Sequence, residues 1–159
     1  MLETPSFFTL VSGAGEAASP LNAFDAALLD AGIGNLNLLR VSSILPPGAV
    51  YRPQLTIPPG SLLPVAYGTI ASSTPGDLIA AAVAVGRCAP DRFGVIMECS
   101  GHCSRGEIEA RIRAMVAEGF AVRGMPSGEV LVASVEWRVK KIGAVIAAVP
   151  LWYDNSPVS

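Results

Sequence analysis

The chain has 159 residues and a formal net charge of −2, enough for one domain with a real core and too acidic a balance to favour nucleic acid as a partner. With 51% hydrophobic and only 15% charged residues, much of its alanine, valine and leucine must be hidden, which favours large subunit interfaces. No apolar run reaches the roughly 18 residues of a spanning helix, and three cysteines fit a reducing cytosol better than a disulfide framework.

In chain order, the opening Met1-Leu2-Glu3-Thr4-Pro5 lacks the basic region and apolar core of a secretory signal, so a cytoplasmic protein is expected. Residues 6–12 read as a short strand running into a glycine loop over 13–18. Gly13-Ala14-Gly15-Glu16-Ala17-Ala18 formally matches the dinucleotide fingerprint. That fingerprint needs a helix opening directly on its glycines, whereas Ser19-Pro20 sets a new start, with Ser19 as N-cap and Pro20 in the first helical position. No acidic residue ends the next strand to hold a ribose, and nucleotide binding is set aside. The helix predicted over 20–31 places Leu21, Phe24, Leu28 and Ala31 on one face, and Gly32 terminates it. Asp25 points away from the centre of that stripe and by itself reads as a solvated carboxylate. Residues 35–41 alternate as a strand that ends on Ser42-Ser43, and Pro46-Pro47 bar regular structure beyond. By themselves the serines read as a polar turn and Asn37 as a strand residue bonding to a neighbouring loop.

Residues 50–60 carry Pro53, Pro58 and Pro59, which suits an extended crossing segment. A strand over 62–72 contains Tyr67, and Thr74-Pro75-Gly76-Asp77 is a turn. Residues 78–86 fit a helix by composition, or a strand with Ile79, Ala81, Val83 and Val85 on a bulkier face. The strand over 92–99 sets Val95 and Met97 against Gly94, Ile96 and Glu98. A carboxyl ending an apolar strand is expected to be desolvated, with a pKa above its free value, which keeps a proton for donation near neutral pH; a surface or salt-bridged Glu98 is the alternative. Cys99, His102 and Cys103 lie close together, but a closed structural zinc site would lack a fourth ligand, so no metal is expected. Ser104 and Glu107 form a capping box before a helix whose stripe is Ile108, Ile112, Met115 and Val116, ended by Gly119. Residues 129–139 alternate as a strand, Lys140-Lys141 turn, 142–153 form a small-residue strand buried on both faces, and the tail 154–159 frays.

Taken together, Leu21-Asn22-Ala23-Phe24-Asp25, Ala31-Gly32-Ile33-Gly34-Asn35, the Arg40 to Pro47 segment, Ala66-Tyr67-Gly68, Ile96-Met97-Glu98 and Leu151-Trp152-Tyr153 resemble the pyruvoyl-dependent arginine decarboxylases in order and spacing over nearly the whole chain. The resemblance implies an α/β fold, a four-layer α/β/β/α sandwich in one domain over 1–159, assembled as trimers or dimers of trimers, with residues 78–86 as a strand. It also implies self-cleavage between Ser42 and Ser43 into a β chain of 1–42 and an α chain of 43–159. The Ser43 hydroxyl would attack the Ser42 carbonyl carbon. Elimination from the resulting ester, then hydrolysis, would convert residue 43 into a covalently bound pyruvoyl group.

The resemblance further ties Asn37 to processing, where its amide could polarise the Ser42 carbonyl. It assigns Asp25 to the guanidinium of the substrate, which a carboxylate meets with two parallel hydrogen bonds, and Glu98 to proton donation. The ketone at position 43 would take the place of pyridoxal phosphate as electron sink. The expected activity is decarboxylation of arginine to agmatine and carbon dioxide by a cytoplasmic homo-oligomer, with no membrane or nucleic-acid partner. Lysine or ornithine as substrate, and a non-catalytic oligomer that keeps the fold without cleavage, are the alternatives.

Overall fold

A computed structural model describes residues 2–42 and 44–154; Ser43 and residues 155–159 of the expected frayed tail lie outside the described residues. The elements run β1 (Phe7–Phe8), β2 (Val11–Glu16), α1 (Pro20–Asp30), β3 (Asn37–Arg40), β4 (Ile44–Leu45), β5 (Val50–Tyr51), β6 (Leu62–Ser72), β7 (Leu78–Arg87), β8 (Gly94–Gly101), α2 (Arg105–Val122), β9 (Glu129–Arg138) and β10 (Gly143–Trp152). One sheet has the order β3-β6-β10-β1-β5, with β2 also paired to β10, and the other has the order β4-β8-β7-β9.

Strand alternation sorts the core into three layers. In β7, Ile79, Ala81, Val83 and Val85 face the other sheet, where they meet Val145, Ala147 and Val149 of β10. The opposite face, Ala80, Ala82 and Ala84, packs under Ile108, Ile112, Val116 and Phe120 of α2. The ambiguous 78–86 stretch is therefore a strand: its bulky face fills the space between sheets, and its alanine face lets a helix lie close. On the outer side of the first sheet, Ala144, Ile146 and Ala148 of β10 pack against Ala23, Ala27 and Leu28 of α1. The layers thus run helix, sheet, sheet, helix. In β10, Pro150 falls where the neighbouring pairing passes from β2 to β1, a break that tolerates a residue with no amide to donate.

Both helices start as the sequence predicts. Ser19 accepts from the Asn22 amide at 3.2 Å, and Ser104 and Glu107 complete a capping box. Three expectations are corrected. The stretch expected as a glycine loop over 13–18 is largely strand β2, paired to β10 from Glu16 to Val11. Its glycines serve packing, because a Cβ on Gly13 would stand 2.6 Å from the Ala31 amide nitrogen and one on Gly15 2.6 Å from the Ala27 nitrogen. Leu21, expected in the buried stripe of α1, is 75% exposed, and the buried face is Ala23, Ala27 and Leu28. Gly119 does not end α2, which continues to Val122 before Gly124 turns at φ 60°; Gly119 is a contact point, where a Cβ would lie 2.7 Å from the Met97 methyl. Among the described residues, no helix is long and apolar enough to cross a membrane.

Candidate active site

The two sheets are joined at one edge by a short crossing. β3 pairs in parallel with β6, ending at Arg40 opposite Val65, and Val41 adds one more bond, to the Val65 carbonyl at 3.1 Å. β4 then belongs to the other sheet, with Ile44 opposite Val95 and Leu45 opposite Gly94 of β8. Residues 41–43 are all that connects them. The crossing is thus short in sequence. Within it, the Ile44 amide donates to the Ser42 carbonyl at 3.1 Å. The sheets are drawn together beside it: Ser100 donates to the Thr69 carbonyl at 3.0 Å, and a Cβ on Gly68 would meet the Cys99 carbonyl at 2.8 Å.

Glu98 lies on β8 opposite Val83, inside the strand and not at its end, since β8 continues to Gly101. Its Oε2 is buried and has no hydrogen-bond partner among the described residues. Its Oε1 is 3.9 Å from Nη2 of Arg40, and the Glu98 side chain is 23% exposed. Burial pushes the Glu98 carboxyl above its ordinary value, and the Arg40 guanidinium opposes that rise only in part. An acid held protonated by desolvation can donate near neutral pH. Arg40 is itself tied down, donating to the Tyr67 carbonyl at 2.7 Å and standing 4.5 Å over the Tyr67 ring. The Tyr67 ring in turn meets Phe24 of α1 at 6.4 Å between centroids.

Asp25, next to Phe24, is exposed and makes no hydrogen bond or ion pair among the described residues. Asn37 stands at the far end of β3 and donates from Nδ2 to the Gly60 carbonyl at 2.9 Å, the neighbouring-loop contact that the residue type alone suggested. Asn37 thus opens β3, five residues before Ser42 and beyond the length of that strand. The structure therefore brings Glu98 against Arg40, two residues before Ser42, places Asp25 next to Phe24, whose ring meets Tyr67, and ties Asn37 to Gly60. A cavity of about 510 Å³ lies elsewhere, between the end of α1 and residues 53–59, and neither Ser42, Glu98 nor Asp25 lines it.

Cys99, His102 and Cys103 do not converge. The Cys99 thiol faces the Ile108 carbonyl of α2, Cys103 is buried in the α2 core, and His102 Nδ1 lies 3.8 Å from Asp77. Among the described residues no group of three His, Cys, Asp or Glu side chains is placed to hold a metal. Two participants escaped the sequence reading: Arg40 and the Ile44 amide. An arginine two residues before the serine pair was the only local signal for the first, and a backbone amide carries none.

A sequence profile of the pyruvoyl-dependent arginine decarboxylases matches residues 7–156. The chain belongs to the pyruvoyl-dependent arginine decarboxylase family. It is 46% identical over 150 residues to the pyruvoyl-dependent arginine decarboxylase of Methanocaldococcus jannaschii, covering 94% of this chain and 91% of that one. The enzyme of the same name from Pyrococcus abyssi is 43% identical over 152 residues, covering 94% and 96%, and one from Methanococcus maripaludis is 44% identical over 152 residues, covering 95% and 93%. Membership in this decarboxylase family implies a covalently bound pyruvoyl group. The residues present fit such a group: the Ser42 carbonyl, just before Ser43 in the sequence, already accepts from the Ile44 amide, and the Glu98 carboxyl, raised by burial and with an oxygen that no described residue hydrogen-bonds, lies beside Arg40 two residues earlier.

Proposed function

We propose that the protein decarboxylates L-arginine to agmatine and carbon dioxide, using a pyruvoyl group made by its own cleavage between Ser42 and Ser43. The observation that carries this reading is the Ser42 carbonyl, hydrogen-bonded to the Ile44 amide within a crossing whose edge also holds Glu98. In the acyl shift, the Ser43 hydroxyl oxygen bonds to the Ser42 carbonyl carbon, and the peptide C–N bond breaks to free the residue 43 amine. Negative charge develops on the Ser42 oxygen as the hydroxyl attacks, and a fixed donor aimed at that oxygen lowers the barrier. Loss of the α proton and of the Ser42 carboxylate from the ester leaves dehydroalanine at position 43, and hydrolysis gives the ketone and ammonia.

The pyruvoyl group supplies the electron sink for loss of carbon dioxide. Glu98 would deliver a proton to the carbon from which carbon dioxide departs, and Asp25 would pair with the guanidinium, both as the family resemblance implies and as their burial and exposure allow. Asn37, tied to Gly60 and remote from Ser42 in its own chain, acts in processing only across a contact between two copies. Such a contact suits a site that lies at an open edge, and the protein is proposed to work as a cytoplasmic homo-oligomer. Intact-mass measurement of the purified protein under denaturing conditions tests the cleavage. Two fragments, ending at Ser42 and beginning with a ketone in place of residue 43's amine, are expected, and Ser43→Ala remains full length. A single intact wild-type chain without activity overturns the proposal, whereas cleaved protein that turns over lysine or ornithine better than arginine overturns only the substrate.

A further inference from the structure

Beyond the residues assigned so far, the edge holds a cation that the reaction as described does not use. We propose that Arg40 is a positioning residue of this site: pinned on Tyr67, its guanidinium holds the Glu98 carboxyl by one oxygen and leaves the other to deliver the proton. The inference rests on the reading of Glu98 as proton donor.

The pinning follows from where β3 stops. The parallel ladder with β6 ends with the Val41 amide on the Val65 carbonyl. The next acceptor in that direction is the carbonyl of Tyr67, and Arg40 Nη2 fills it at 2.7 Å. The same guanidinium stands over the Tyr67 ring within cation–π range, with Cζ 4.5 Å from the centroid. A planar fork can donate, stack and face a carboxylate together, which an ammonium cannot. Although Arg40 is 55% exposed, its head group is therefore held at both ends.

The consequence falls on Glu98. Positive charge 3.9 Å from Oε1 favours negative density on that oxygen and disfavours a proton there. The proton of the neutral acid then sits on Oε2, the oxygen that no described residue hydrogen-bonds and that is left for a substrate atom. Arg40 is the charged group facing Glu98 from β3. β7 brings Val83 opposite it, and β6 brings Gly68 against the next residue of β8 and the Tyr67 ring beneath the guanidinium. Cys99 turns toward α2, where Arg111 offsets the rise of its thiol.

Arg40→Met keeps an apolar contact with the ring and removes the charge and the fork, while Arg40→Lys keeps the charge alone. Titration of the Glu98 carboxyl by carbon NMR in glutamate-labelled protein, assigned by loss of its signal in Glu98→Gln, reads the coupling directly. It works on cleaved and uncleaved chains alike. In Arg40→Met the Glu98 titration moves to higher pH, with partial return in Arg40→Lys. The alkaline limb of the kcat profile moves the same way, and kcat at the optimum falls about tenfold while KM for arginine stays within about twofold. An Arg40→Met protein whose Glu98 titrates as in wild type overturns the proposal. If Glu98→Gln keeps the wild-type rate and alkaline limb, it is the donor reading that fails, whatever Arg40 does to the titration.

Discussion

Glu98 is an acid whose environment divides its two oxygens, one near a cation and one buried without a partner among the described residues. Replacing it with glutamine keeps the shape and removes the donor. Glu98→Gln is expected to lower kcat by roughly 10²–10⁴ while leaving the fragment pattern on intact-mass analysis unchanged; a wild-type rate would place the donor elsewhere. For the wild type, a carboxyl held above its ordinary value by burial predicts a kcat that declines on the alkaline side as that proton is lost. Asp25 differs in kind. It is exposed on α1, so the pairing proposed for it would form only when a guanidinium arrives. Charge-assisted hydrogen bonds contribute about 1.5–3 kcal/mol, and about 1.4 kcal/mol is a factor of ten. Asp25→Asn should raise KM for arginine by roughly ten- to a hundredfold, with lysine a poor substrate of the wild type because an ammonium lacks the planar fork. Steady-state kinetics with both substrates checks this.

β2 is placed by contacts that its own sequence does not announce. β2 lies directly against α1 because Gly13 and Gly15 have no side chain. A methyl on Gly13 would run into helix backbone at Ala27 and Ala31, and backbone cannot rotate away. Gly13→Ala is therefore expected to destabilise the fold by about 1–3 kcal/mol, measured as a lower denaturation midpoint. At its far end β2 presents Glu16 to the β9–β10 turn. The carboxylate accepts from the Trp137 indole at 2.9 Å, the Lys140 amide at 2.7 Å and the Lys141 amide at 3.1 Å. Burial pushes the Glu16 carboxyl up, but these donors together hold it below its ordinary value. A carboxyl lower in the folded than in the unfolded state stabilises above the unfolded pKa, and the contribution is lost as pH falls through the folded one. Glu16→Gln should thus cost about 1 kcal/mol at neutral pH and progressively less on acidification below the usual carboxylate range. Denaturant titrations at neutral and acidic pH test the sign.

At the scale of the molecule, the segment proposed to be cleaved joins two sheets that do not depend on it to stay together. Residues 1–42 carry β1, β2, α1 and β3, and these pair with β10 and β6 and pack Ala23, Ala27 and Leu28 onto β10. Cutting the crossing therefore leaves the smaller fragment held by sheet hydrogen bonds and a buried helix face. The two fragments should co-elute on native size-exclusion chromatography and separate only in denaturant. Release of residues 1–42 under native conditions would contradict this account of the fold.

Much of this was legible in the sequence, and the remainder was not for a physical reason. Helix caps at Ser19 and Ser104, the strand over 62–72 and the alternation around Glu98 are written in residues within a few positions of each other, because capping and strand period are local. The serine pair, Glu98 and Asp25 were singled out by a pattern spread along the chain, and the comparisons support the family that pattern indicated. Only the tertiary structure decided that the glycines at 13 and 15 form a strand, that Gly119 is a contact within α2, that Asn37 is engaged by Gly60, and that Arg40 bridges Tyr67 and Glu98. Each of these depends on what a residue meets from a distant part of the chain. A glycine reads as a turn until a helix is found lying against it, and an arginine at the end of a strand reads as solvated until the neighbouring strand offers an unpaired carbonyl.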